Sequence, residues 1–242
     1  FKDLQHFYDC ALKGIEPYYA PISAFNKFVQ WERKWLNSEP ATKAKAYWTR
    51  QLQTPPSRIN LKKLAKAGDT LDDFAPTRTN NFNFDGGEYF YNFDQNFTNN
   101  LKVLAKREKV TLYNILVSVY FILLHKLTNE TDVTVGSYAN LRHHHEFENQ
   151  VGYYLNTIVL RANIFPEMSF KDYLQKTRDN SLEALSHQYY PFVLLAEELK
   201  PERETGRQLW FDHILNWTTG DNYEMSNSYF MDIETTGEQK TQ

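Results

Sequence analysis

One stretch of the chain is apolar on nearly every face, and it sets the strongest limit on the fold. Residues 111–127, T-L-Y-N-I-L-V-S-V-Y-F-I-L-L-H-K-L, predict a helix with few polar positions. Such a helix must be buried on most sides, so it needs further layers of secondary structure around it. Its apolar run is shorter than the roughly 20 residues that cross a bilayer. With no signal peptide visible after Phe1, we expect a cytoplasmic piece of a longer chain with no membrane partner.

The segments around this helix mix two periodicities. Helical spacing predicts helices, and alternation of apolar and polar residues predicts strands. The predicted helices cover residues 1–12, 23–36, 41–52, 61–66, 95–108, 169–187 and a short segment after 191, and the predicted strands cover 83–93, 132–138, 156–164, 209–217 and 229–233. No internal repeat is visible. This order indicates an α/β or α+β class, with a mixed β-sheet covered by helices.

Composition excludes several classes of function. The 27 Lys and Arg residues nearly balance the 30 Asp and Glu residues, giving a net charge of −3, and this balance disfavours a nucleic-acid partner. Cys10 is the single cysteine, which excludes an internal disulfide and any zinc module built on cysteines. The sequence contains neither a glycine-rich phosphate loop nor a serine in a G-x-S-x-G context.

Three adjacent histidines, His143 to His145, lie close to Glu146 and Glu148. Imidazoles and carboxylates bind divalent metals, but adjacent side chains point in different directions and do not form an ordinary ligand set. A single histidine acting as a general base needs an orienting partner, which this spacing does not supply. We therefore interpret the segment as a solvated loop and predict no metal site.

Two further motifs are weak when taken alone. Asn156 and Thr157 open an apolar strand, and fixed neutral donors at such a place suit a tetrahedral oxyanion or an amine. Polar groups that satisfy the local backbone at a strand start are the alternative, and spacing alone favours it. Residues 187–192, H-Q-Y-Y-P-F, indicate a corner between two helices, and residues 203–207 indicate a charged loop.

Taken in order, the motifs resemble those of the condensation domains of nonribosomal peptide synthetases. Residues 25–31, which end at Trp31, are similar to Y-x-D-Y-A-x-W, and residues 47–52 are similar to Y-W-x-x-x-L. The block 151–157, V-G-Y-Y-L-N-T, resembles V-G-x-F-V-N-T, and 187–192 resembles H-Q-x-x-P-F. Residues 203–211 are similar to R-D-x-S-R-x-x-L-F, and Arg142 stands where the family has A-G-R.

The resemblance implies a fold like that of chloramphenicol acetyltransferase, in which two similar lobes enclose a tunnel. On this basis residues 1–85 are the helices and linker that follow a missing N-terminal lobe, and residues 86–242 are the C-terminal lobe. The implied activity of the parent protein is acyl transfer, in which the amine of one carrier-bound substrate attacks the thioester of another. The implied partners are donor and acceptor carrier protein domains and the missing lobe. The phosphopantetheine arm of the carriers brings the substrates, and no cofactor is expected to bind directly.

The family's catalytic motif, H-H-x-x-x-D-G, is not present in this chain. His144 and His145 are followed by Asn149 and Gln150 where Asp and Gly are required. The resemblance therefore places the catalytic histidine upstream of Phe1, and we expect the fragment alone to be inactive. Two alternatives remain: an O-acyltransferase of the same fold that uses coenzyme A or a carrier thioester, and a non-catalytic lobe that binds carriers.

The resemblance also implies roles for individual residues. Residues expected along the substrate tunnel are Gly152, Tyr153, Tyr154, Asn156 and Thr157. Residues expected to support that tunnel are Trp31, Arg142, Gln188, Pro191, Phe192, Arg203 and Arg207.

Overall fold

A computed structural model describes residues 2–18, 25–57, 59, 87, 89–142, 145–148, 150–201 and 209–218. The chain divides into two compact units. Ser23–Trp217 forms one of them, and Phe1–Ile22 with Thr218–Gln242 forms the other. Two predicted elements, the helix at 61–66 and the strand at 229–233, lie outside the described residues.

The smaller unit contains α1 (Lys2–Lys13). This helix ends at Gly14, whose φ of 63° lies in the left-handed region that favours glycine. The backbone N–H of Ile15 then donates to the carbonyl of Cys10 at 2.9 Å, which satisfies a carbonyl at the helix end. The predicted end of this helix, at residue 12, lies one residue before the observed one.

The larger unit contains six helices and two strands among its described residues. They are α2 (Asn26–Leu36), α3 (Glu39–Leu52), α4 (Gln95–Glu108), α5 (Leu112–Thr128), β1 (Asp132–Asn140), β2 (Leu155–Asn163), α6 (Phe170–Ser186) and α7 (Phe192–Leu199). The predicted bounds of α4 coincide with these, and those of α5 differ by one residue at each end. α3 begins two residues earlier than predicted, because Ser38 caps its N-terminus by accepting from the N–H of Ala41.

β1 and β2 form an antiparallel pair with Asp132 opposite Asn163 and Asn140 opposite Leu155. On the other side of β1, Gly136 makes a single parallel bridge to Ile214. The sheet is therefore mixed, as expected, but the predicted strand at 209–217 is wrong apart from this bridge. Trp210 has a φ of 64°, and it and Phe211 are both buried. A positive φ interrupts the extended backbone that a continuous strand needs, so the segment does not form one.

α5 lies against one face of the sheet, beside α6. Its first turn is fixed by a reciprocal capping box between Thr111 and Asn114. Phe121 and Leu124 are each 2% exposed, whereas Val119 and Leu123 are about half exposed. The expectation of burial on most faces is thus met, with one edge left open. Among the described residues no single helix is long and apolar enough to cross a membrane, while α4 and α5 pass that test only as a pair bent by 99°.

Gly136 lies where the backbone of β1 meets an aromatic ring. A Cβ atom at this position would be 2.6 Å from Cε2 of Phe211, a ring that is 4% exposed. We expect Gly136→Ala to lower the free energy of unfolding by about 1–3 kcal/mol through overpacking. Urea denaturation followed by circular dichroism measures the change.

Gly87→Ala is the matched control for this prediction. An added Cβ at Gly87 would meet no heavy atom within 4 Å among the residues that the structure describes. Equal urea midpoints for the two variants would contradict the close approach of Phe211 to β1.

Candidate functional site

The start of β2 is joined to the segment between α6 and α7, which comprises residues 187–191 and is here called the corner. The side chain of Asn156 is 7% exposed. Its Nδ2 donates to the carbonyls of Gln188 and Tyr190 at 2.7 and 2.8 Å, and its Oδ1 accepts from the N–H of Phe192 at 3.0 Å. The two motifs that the sequence marked separately, 151–157 and 187–192, are therefore parts of one site.

These contacts specify the role of several predicted residues. Asn156 uses both ends of its amide to hold the corner, so its geometry is that of a positioning residue. Gln188 contributes its backbone carbonyl, and Phe192 contributes its backbone N–H. Pro191 is the N-cap residue of α7, in an extended conformation with ψ of 128°.

α3 holds the other side of the corner. Nε1 of Trp48 donates to the carbonyl of His187 at 2.9 Å, and the ring of Tyr47 stacks on the imidazole with centroids 4.4 Å apart. Burial raises the pKa of Tyr190 to about 12, helped by the carboxylate of Glu198, to which its hydroxyl donates at 2.9 Å. Tyr190 therefore stays protonated and acts as a donor, not as a base, near neutral pH.

His187 makes the corner sensitive to acid. Burial lowers the pKa of His187; the carboxylate of Glu183 raises it by less, and the guanidinium of Arg50 lowers it slightly further. A depressed pKa means that the unfolded chain binds the proton more tightly, so stability rises with pH. We expect the chain to lose stability as pH falls below about 6.5, the ordinary value for histidine. Melting temperatures at pH 7.5 and 5.5 should therefore differ less in His187→Gln than in the wild type.

His145→Gln serves as the control, because that side chain is 92% exposed. It should leave the pH dependence as it is in the wild type. If His187→Gln keeps the full wild-type difference as well, the acid sensitivity does not come from the corner.

Arg142 fastens the loop between the two strands. Its Nη1 donates to the carbonyls of Phe147 and Gln150, at 2.5 and 2.8 Å, and its guanidinium lies 4.1 Å from the centre of the Tyr154 ring. Tyr154 is only 2% exposed, and its ring packs 4.8 Å from that of Phe28. These contacts give Arg142 and Tyr154 roles in fixing the loop between the two strands.

Three predicted tunnel residues, Gly152, Tyr153 and Tyr154, line a hollow of about 240 Å³. Asn140, Arg142 and Leu155 complete its lining. Tyr153 is 69% exposed, so its ring is available to a ligand or a partner. A Cβ at Gly152 would lie 2.6 Å from Cδ2 of Phe25, which explains why a glycine stands at this position. Thr157 is half-buried and does not line this hollow.

Trp31 supports the corner from α2. Its ring lies 5.4 Å from that of Tyr189 in an edge-to-face arrangement, a geometry that stabilises aromatic pairs. Two other expected supports, Arg203 and Arg207, lie outside the described residues. His143, His144 and Asn149 lie outside them too.

His145, in a short 3-10 turn, has Nε2 3.9 Å from a carboxylate oxygen of Glu148. The part of the chain that the structure describes contains no group of three His, Cys, Asp or Glu residues placed to hold a metal ion.

A larger cleft of about 500 Å³ opens beside this site, and no pattern in the sequence predicts it. We call it the α5–α6 cleft. Its walls come from the first turn of α5, the end of β1, the second half of α6 and the segment after the bridge; they include Tyr113, Ser137, Tyr138, Leu182, Leu185 and Trp217. Tyr138 pairs with Thr157 across the sheet, so the cleft adjoins the block 152–157. Its residues lie in separate parts of the sequence, which is why no single motif indicates it.

Comparison with protein families gives a match along nearly the whole chain. The family model described as "Condensation domain" matches residues 1–241. Among curated relatives, bacitracin synthase 1 of Bacillus licheniformis is 30% identical over 188 residues, which are 78% of this chain and 3% of that protein. Gramicidin S synthase 2 of Aneurinibacillus migulanus is 29% identical over 192 residues, which are 79% of this chain and 4% of that protein. The chain thus spans a small fraction of these relatives.

Solved structures show the same fold at low sequence identity. The condensation domain from the Monacolin K polyketide synthase MokA has a TM-score of 0.68 at 21% identity, and the match covers 84% of this chain and 47% of that one. The X-domain from teicoplanin biosynthesis has a TM-score of 0.69 at 16% identity, covering 88% of this chain and 46% of that one.

Proposed function

The chain belongs to the condensation-domain family, and from this premise we propose that it forms one lobe of a domain that joins two carrier-bound substrates through an amide bond. The observation that carries the proposal is the family match over residues 1–241. The coverage of 47% of the MokA condensation domain supports one lobe of two. Residues 1–85 then supply the helices and linker after the first lobe, and residues 86–242 supply the second lobe.

The proposed reaction is an aminolysis of a thioester. The amine nitrogen of the acceptor attacks the thioester carbonyl of the donor, a C–N bond forms, the C–S bond breaks, and the donor arm leaves as a thiol. The amine loses a proton, and the departing sulfur gains one. Both thioesters arrive on phosphopantetheine arms of carrier domains, which are substrates here and not resident cofactors.

The corner contains one imidazole, that of His187, which is half-buried and stacks on the ring of Tyr47. The described lining of the α5–α6 cleft contains no imidazole or carboxylate. On the family resemblance, we assign the proton transfer to the histidine of an H-H-x-x-x-D-G motif outside this chain. Asn156 holds the corner that supports β2, while Tyr153 and Gly152 border the path of the substrates.

A competition between two acceptors tests this proposal. The full-length protein that contains this chain is given one donor thioester, with an aminoacyl acceptor and its 2-hydroxyacyl counterpart on the acceptor carrier. We expect the amide product to accumulate while the ester product stays at background. An ester formed as fast as the amide would support the O-acyltransferase alternative. Retention of carriers without transfer to either acceptor would support a non-catalytic lobe.

A further inference from the structure

The α5–α6 cleft has the size of a small-molecule site. Its volume of about 500 Å³ falls within the roughly 300–1,000 Å³ of ligand pockets. Leu182 and Leu185 on α6 form one wall, and they are 58% and 36% exposed. Tyr138 and Trp217, 40% and 44% exposed, stand at the end of β1 and after the bridge. Apolar side chains that line a concave surface favour an apolar occupant.

The hydroxyl groups of Tyr113, Ser137 and Ser181 in the cleft wall are engaged with the protein. Oγ of Ser137 donates to the carbonyl of Leu215 at 2.9 Å and accepts from the hydroxyl of Tyr113 at 2.8 Å. Oγ of Ser181 donates to the carbonyl of Thr177 at 2.8 Å. Because these groups already have partners, they do not require a polar ligand. Burial also raises the pKa of Tyr113, so its hydroxyl stays neutral.

Charge is the second property that limits the occupant. None of the described residues that line the cleft is charged. A carboxylate or ammonium group entering it would lose hydration without gaining a counter-ion, which is costly. An uncharged, apolar side chain of the same size would enter the cleft favourably, because its surface leaves contact with water.

The position of the cleft connects it with the proposed reaction. Tyr138 faces Thr157 in the sheet register, and Ile158, another lining residue, is the next residue of β2. A substrate that passes the block 152–157 therefore has the cleft beside it.

We propose that the α5–α6 cleft receives the uncharged, apolar side chain of a thioester-bound substrate and selects against charged ones. The proposal rests on the proposed function, because that function supplies the thioester. Leu182 is the specificity residue that the geometry singles out, since it lies at the exposed rim where a substitution leaves the core intact.

Binding to the full chain tests the cleft directly. The probes are the phenylacetyl and succinyl thioesters of N-acetylcysteamine, measured by isothermal titration calorimetry. We expect the phenylacetyl probe to bind about tenfold more tightly, the scale on which hydrophobic pockets discriminate. Leu182→Lys should weaken phenylacetyl binding and strengthen succinyl binding, so that the preference is lost or reversed.

Leu123→Lys is the matched control, because Leu123 is a leucine 47% exposed on α5 outside the cleft. It should keep the wild-type preference, and circular dichroism should show all three proteins equally helical. Equal affinity of the wild type for both probes, or a preference that survives Leu182→Lys, would overturn the proposal.

Amide formation by the full-length protein, measured with phenylacetyl and succinyl donors, separates this proposal from the proposed function. Amide formation at equal rates from both donors would overturn the selectivity and leave the function standing. Selective binding without amide formation from either donor would support the cleft and contradict the function.

Discussion

Arg161→Met is expected to lower the free energy of unfolding by about 3 kcal/mol, the largest effect of any single substitution considered for this chain. Nε and Nη2 of Arg161 contact the two carboxylate oxygens of Asp132 at 2.7 and 2.5 Å. Nη1 donates to the carbonyls of Gln51 and Thr54, at and beyond the end of α3, at 2.5 and 2.8 Å. One guanidinium thus joins both strands to a helix end.

The cost follows from what the substitution leaves behind. The side chains of Arg161 and Asp132 are 13% and 26% exposed, so the carboxylate would lose its partner in a mostly buried place. Methionine fills a similar volume and removes only the charge and the donors. Urea denaturation of the full chain at neutral pH measures the change.

Arg50→Met is the control for charge and size. Arg50 and Glu183 are 66% and 49% exposed with their closest atoms 3.5 Å apart, and such surface pairs contribute about 0–1 kcal/mol. The two variants should therefore differ by at least about 2 kcal/mol. Equal stability of both would mean that Arg161 does not join the sheet to α3.

Asn156→Ala is the second large expected effect, with a loss of about 2 kcal/mol or more. Alanine removes both donors to the carbonyls of Gln188 and Tyr190 and the acceptor for the N–H of Phe192. Leaving buried backbone groups without partners costs more than the net value of the hydrogen bonds themselves. The change should also speed hydrogen exchange at the Phe192 amide.

Asn163→Ala is the control that shows whether the loss of stability depends on the position of the asparagine and not on its residue type. Asn163 lies at the other end of β2 and is exposed, so its loss should change stability by less than about 0.5 kcal/mol. If Asn156→Ala unfolds with the same urea midpoint as Asn163→Ala, Asn156 does not hold the corner. Unchanged exchange at Phe192 would lead to the same conclusion.

Most elements could be predicted because local signals mark them. The capping box at Thr111 and the left-handed glycine at Gly14 define helix ends within a few residues of sequence. The segment 209–217 could not be predicted, since its alternation is overruled by a tertiary contact. Phe211 packs over Gly136, and Trp210 has a positive φ, which an extended strand does not adopt.

The site was predictable as two motifs but not as one structure. The hydrogen bonds of Asn156 go to backbone groups 32 to 36 residues away. The residues next to Asn156 in the sequence give no information about such distant partners. The α5–α6 cleft is even harder to predict from the sequence. Its walls contain Tyr113, Leu182 and Trp217, which only the fold brings together.

The central claim, that this lobe serves amide-bond formation, is tested most directly by the product of a single turnover. The full-length protein that contains this chain is loaded with two different aminoacyl groups on its donor and acceptor carriers, and the thioesters are then cleaved with hydroxylamine for mass spectrometry. The account predicts one hydroxamate with the mass of the joined dipeptide. Recovery of only the two separate aminoacyl hydroxamates would contradict it.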